Sequence, residues 1–154
     1  MPCVKCLKKS DYHSFKKFGV LQDKSIFYTA PAKTDDYNED GTKLANIKIH
    51  VKEDTLNKPW IWVLDCKNMG LKNYTEMSFN IGLLQLLNET KTLDRVLVIN
   101  PNIWIRTTIG FLQTFYNSPI LTKIQYLDGS NREISNILTT AGLDVESIAW
   151  LLKQ

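Results

Sequence analysis

Apolar and polar residues change rhythm several times along the chain. Residues 19–29, GVLQDKSIFYT, read as an extended segment that stops at Ala30-Pro31. A polar, charged stretch over residues 32–42 follows and contains the turn pair Asp40-Gly41, which predicts an exposed loop between two strands. Over residues 45–51 the pattern alternates, with Ile47, Ile49 and Val51 on one side and Lys48, His50 and Lys52 on the other. A period of two predicts a strand with one wet face, as at the edge of a sheet.

The centre of the chain is different. WIWVL (60–64) and VLVI (96–99) are apolar on both faces, the pattern of strands covered on both sides in a parallel sheet. Between them, Asn73 and Glu76 have capping-box spacing, and Met77, Ile81, Leu84 and Leu87 follow at helical intervals. Strand, helix and strand make a right-handed βαβ unit. After Asn100-Pro101 a helix is predicted over residues 103–116, stopped by Asn117-Ser118-Pro119. A short strand over 124–127 precedes Asp128-Gly129. Two helices close the chain, one over 132–140 that stops at Gly142 and one after an Asp144 cap. The expectation is an α/β fold with a mainly parallel sheet, an antiparallel edge and helices on both faces. Residues 1–18 form a basic N-terminal segment with room for a short helix, and residues 19–154 form a single domain.

Composition narrows the function classes. With 154 residues, 44% of them hydrophobic and 23% charged, the chain can bury one substantial core, which excludes disordered and collagen-like classes. A net charge of +3 is too mild to predict a nucleic-acid partner. Lys5, Lys8, Lys9, Lys16 and Lys17 crowd the N-terminus, while Asp35, Asp36, Glu39 and Asp40 form an acidic patch. Such a basic stretch can lean on anionic lipid at about 1 kcal/mol per lysine; a solvated, frayed terminus is the plainer reading. Neither a signal peptide nor a membrane-spanning run is visible, so the expected location is cytoplasmic, with peripheral membrane contact.

The helix over 103–116 carries more apolar surface than one sheet can bury. Ile105, Ile109, Leu112 and Tyr116 make one stripe, and Trp104, Phe111 and Phe115 make a second on an adjoining face. The surplus must meet other helices, a partner, a membrane or an apolar ligand. Coverage by the C-terminal helices is the plain structural alternative.

Two runs carry a family resemblance. WIWVLDCKNMG (60–70) is similar to the central strand and following turn of CRAL-TRIO domains. RVLVINPNIWIRTTIGFLQTFYNSPILTKIQYLDGS (95–130) resembles that family's strand ending in Asn-x-Pro, its aromatic-rich helix, its short second helix and its Lys-Ile strand. The resemblance implies a hydrophobic cavity with the sheet as floor and the helix after Asn-x-Pro as a gate. It places Trp60, Trp62, Leu64, Val98, Ile124 and Tyr126 on the floor and Ile105, Ile109 and Leu112 on the gate. Lys123 falls where relatives often hold a phosphoinositide headgroup. The chain departs from the family in two places. Only eight residues separate Val51 from Trp60, where relatives insert a long helix, and Lys91, Thr92 and Leu93 stand where they carry a Tyr-Pro-Glu run. The implied function is binding, and transfer at membrane surfaces, of a phospholipid or other hydrophobic ligand. The alternative is a protein-interaction, scaffold or regulatory module of CRAL-TRIO or STAS type, with a protein partner or homodimer contact.

Catalytic and metal chemistry find little support in the residues. Asp65 and Asp128 end predicted strands, where α/β folds place their sites, but no histidine, nucleophile elbow or Gly-rich loop accompanies them. Turn or cap roles are expected instead, and no enzyme is predicted. Cys3 and Cys6 form a lone C-x-x-C with His13 nearby; a second ligand pair is not evident, so neither metal nor cofactor is expected. His13 and His50 read as surface or strand-face residues, and Cys66 as a packed thiol.

Overall fold

The computed structural model describes residues 3–10, 12–33 and 42–154. Asp35, Asp36, Glu39 and the Asp40-Gly41 turn lie outside them. The extended segment at 19–29 resolves into a hairpin, β1 (Lys16–Leu21) and β2 (Lys24–Thr29). Gln22 and Asp23 both take positive φ, 52° and 64°, the backbone of a two-residue turn that suits strand twist. β1 thus begins inside the basic N-terminal stretch.

Three further strands extend the hairpin: β3 (Trp60–Asp65), β4 (Leu93–Ile99) and β5 (Ile124–Leu127). The sheet runs β1-β2-β3-β4-β5, with β1 antiparallel to β2 and every other pair parallel. This is the expected α/β architecture with its antiparallel edge. Register places same-face residues side by side, Phe27 by Trp62 by Val96, and Tyr28 by Val63 by Leu97. Successive side chains point to opposite faces, so each central strand feeds two cores.

One core is closed by α6 (Asn131–Ala141) and α7 (Val145–Leu152) over Ile26, Tyr28, Ile61, Val63, Leu97 and Ile99. Gly142 ends α6 at φ 104° and Asp144 caps α7, as the sequence predicts; Ser130 caps the start of α6. The other core lies under α2 (Thr42–Glu53), α4 (Met77–Thr90) and α5 (Ile103–Phe115). Gly82 lets α2 and α4 approach, because a Cβ there would sit 2.6 Å from a Leu44 methyl.

Two expectations fail. Residues 45–51 form part of α2 rather than an edge strand. Lys43, Ile47, His50 and Val51 face inward, which is helical spacing. The alternating reading put Lys48, His50 and Lys52 in solvent; the two lysines are exposed, but His50 is buried and reaches Asp54 at 2.8 Å, and Lys43, just ahead of that stretch, is buried on Glu76 at 2.6 Å. The helix thought missing ahead of β3 is therefore present, made from the supposed strand. The capping box at Asn73 and Glu76 is also absent. Residues 71–75 are the short helix α3 (Leu71–Thr75), and Glu76 precedes α4 without capping it through its side chain. Glu76 turns instead to Lys43.

Candidate ligand cavity

β4 ends at Asn100-Pro101, and Asn102 starts α5. Its Oδ1 accepts from the Trp104 and Ile105 amides at 3.0 and 3.1 Å, while its Nδ2 donates to the Cys66 and Met69 carbonyls. One side chain thus caps the helix and ties it to the turn after β3. The tie lays the Ile105, Thr108, Ile109 and Leu112 face of α5 toward the sheet.

The two surfaces do not meet everywhere. A cavity of about 160 Å³ remains between them. Its floor is Trp62 and Leu64 of β3, Val96 and Val98 of β4 and Ile124 of β5. α5 supplies Ile105, Ile109 and Leu112 overhead, and α4 supplies Phe79, Leu83, Leu84 and Leu87 at the side. A few polar groups also line it, Lys43 and Glu76 among them. Lys43 and Glu76 form an ion pair at 2.6 Å, and the Lys43 ammonium lies 4.3 Å from the centre of the Phe79 ring. Glu76 Oε1 is buried with no hydrogen-bond partner.

Of the residues singled out from the sequence, Trp62, Leu64, Val98, Ile105, Ile109, Leu112 and Ile124 border this space. Trp60, Tyr126 and Lys123 do not. Trp60 is fully buried among Phe15, Phe27 and Trp62, with its indole N–H on Thr92 Oγ1. It fills the hairpin end of the same core and leaves the space beneath α5 open. Tyr126 sits under the Arg106 guanidinium at 4.5 Å, and Lys123 donates to the Leu93 carbonyl at 3.0 Å. The sequence pattern missed the contribution of α4: Leu84 and Leu87 were read only as helical spacing, and Phe79 and Leu83 were not singled out.

The second apolar stripe of α5 is not covered by α6 and α7, which pack on the opposite sheet face. Trp104 packs near Tyr74 of α3, Phe111 against Phe115, and Phe115 and Ile103 are 68% and 71% exposed.

The two strand-end carboxylates have structural partners. Asp65 accepts from the Tyr28 hydroxyl at 2.7 Å, the Asn100 amide at 2.9 Å and the Lys67 backbone N–H at 3.0 Å. Asp128 pairs with Arg106 at the surface. Burial, with the adjacent Asp65 carboxylate, pushes the Cys66 thiol up to about 12, so it stays protonated as a packed side chain. Sequence reasoning saw His13 near Cys3 and Cys6 but no second ligand pair. The fold supplies the missing member: His50, in the last turn of α2, converges with His13, ahead of β1, on the cysteine pair. Thirty-seven residues separate the histidines, a spacing set by the loop and helix between them rather than by any local motif.

A mixed sheet with helices on both faces, and an apolar cavity roofed by the helix that follows Asn100-Pro101, defines a class of hydrophobic-ligand-binding α/β domains. The family model of the CRAL/TRIO domain matches residues 22–142, and the chain belongs to that family, one of lipid-binding and lipid-transfer domains. No curated protein matches the chain. Among the described residues no helix is long and apolar enough to cross a membrane.

Proposed function

We propose that the protein takes an apolar ligand, a lipid chain or another hydrophobic small molecule, into the space between the sheet and α5, and exchanges it at a membrane surface. The cavity carries this reading: it is lined by apolar side chains from three strands and from α2, α4 and α5. Its 160 Å³ is close to the roughly 150 Å³ of an engineered apolar cavity that binds benzene. Sites for larger ligands run from about 300 Å³ upward. The space therefore takes a ring or a short chain segment as it stands, and a whole lipid requires α5 to swing outward as a gate. Each buried methylene contributes about 0.8 kcal/mol relative to water, a gain nearly matched in a bilayer, which favours exchange over storage. Binding needs no bond-making chemistry, and both strand-end carboxylates are engaged in holding the fold.

The exposed Ile103 and Phe115 support a docking role for the outer stripe of α5. In the exchange reading that stripe rests on the membrane when the gate opens; in the alternative it is a protein or homodimer contact.

Organic extraction of the purified protein, followed by mass spectrometry, tests the reading. Stoichiometric lipid is expected, and an empty protein of doubled mass favours the interaction module. Acyl chains bearing a quencher should dim Trp62 on uptake. Ile109→Glu should abolish uptake while leaving helical circular dichroism largely intact, and Val98→Phe should block it by filling the floor. Uptake that survives both substitutions places the ligand elsewhere.

A further inference from the structure

We propose that Cys3, Cys6, His13 and His50 bind one zinc ion in a closed structural site. Their ligand atoms lie within 4.8 Å of one another. His13 Nδ1 is 3.6 Å from Cys3 Sγ and 3.4 Å from Cys6 Sγ; His50 Nε2 is 3.3 Å from Cys6 Sγ and 3.3 Å from His13 Nδ1. With Zn–S near 2.3 Å and Zn–N near 2.05 Å, tetrahedral angles require S···N edges of about 3.6 Å and an N···N edge of about 3.3 Å. These four edges lie within about 0.3 Å of those lengths. Edges of this length to sulfur suit hydrogen bonds as well, but the 3.3 Å N···N edge is longer than the 2.9–3.0 Å usual for an N–H···O bond.

A second feature points the same way. His50 Nδ1 lies 2.8 Å from Asp54 Oδ2, one helical turn further on. The carboxylate holds the proton on Nδ1, so Nε2 presents its lone pair to the cluster. This carboxylate–histidine arrangement is the usual outer support of a zinc-bound imidazole. Sulfur and imidazole at tetrahedral spacing select zinc over harder cations, and four protein ligands leave no open position for catalysis. On binding, the two thiols release their protons to solvent, and two thiolates neutralise the dication.

The site has a mechanical effect. Cys3 and Cys6 belong to α1 (Val4–Lys8) and its cap, His13 to the run into β1, and His50 to α2. The ion pins the N-terminal segment to α2. His13, only 1% exposed, also borders the ligand cavity, so the clamp holds part of that cavity's wall. The zinc assignment stands independently of what the cavity holds.

The test uses the full chain, loaded with Zn²⁺ under reductant, desalted and measured for metal by mass spectrometry. One zinc per chain is expected, falling to none in Cys6→Ser and in His50→Ala and retained in His50→Cys. Cobalt(II) in place of zinc should give the intense visible bands of a tetrahedral thiolate site. Should the ligand variants fail to fold, Asp54→Asn still decides. It keeps all four ligands and should weaken zinc binding 10- to 100-fold. A wild-type chain that retains no zinc and gives no tetrahedral cobalt spectrum overturns the assignment. Unchanged zinc affinity in Asp54→Asn, metal loss in Cys66→Ser or a Cys3–Cys6 disulfide persisting in reductant does so as well.

Discussion

Asp65 shows how one side chain can look catalytic in sequence and be structural in space. Its carboxylate is 2% exposed and takes three hydrogen bonds, from β2, from the turn after β4 and from the chain just beyond β3. Removing the Tyr28 hydroxyl leaves part of a buried carboxylate unsatisfied. Tyr28→Phe should therefore lower unfolding stability in urea by about 2 kcal/mol. Ligand uptake should be unchanged, because Tyr28 faces α6 and α7. The sequence showed that Asp65 ends a strand but not who its partners are, since these lie 35 and 37 residues away. Lys123 was the opposite case. A family position suggested a headgroup, and the fold spends its ammonium on the Leu93 carbonyl.

Among the elements, α5 was the most legible and α2 the least. Asn100-Pro101 ahead of it, the Asn117-Ser118-Pro119 stop and a strong apolar stripe all agree for α5, so its bounds and inner face could be read directly. Asn102→Ala removes the cap and both donations to the Cys66 and Met69 carbonyls. A loss of about 2 kcal/mol is expected. In thermal melts, with and without a bound acyl probe, the apo protein should lose more than the loaded one, because ligand contacts help hold the gate. For α2, Lys43 and His50 broke the helical pattern by placing polar groups on the inner face. Polar residues turn inward only where partners wait, and those partners sit on α4 and on the N-terminal segment, beyond the reach of periodicity. The same blindness hid the four-ligand cluster, whose last member belongs to that helix.

At the scale of the molecule, the two faces of the sheet are unlike. On one side α6 and α7 rest on the central strands; the α4 and α5 side keeps an unfilled space of about 160 Å³ against them. Val63 and Val98 are fully buried valines on adjacent central strands, one on each face. Val63→Phe should cost about 1–3 kcal/mol through overpacking. Val98→Phe should cost less, and paired unfolding curves compare them directly. The asymmetry bears on how such a sequence drifts. A library selected for foldedness alone should gather bulkier residues beneath α5 and almost none on the opposite side. A library also made to carry cargo should lose those bulky intruders first, so the vacancy itself becomes a heritable trait whose upkeep can be counted in surviving clones.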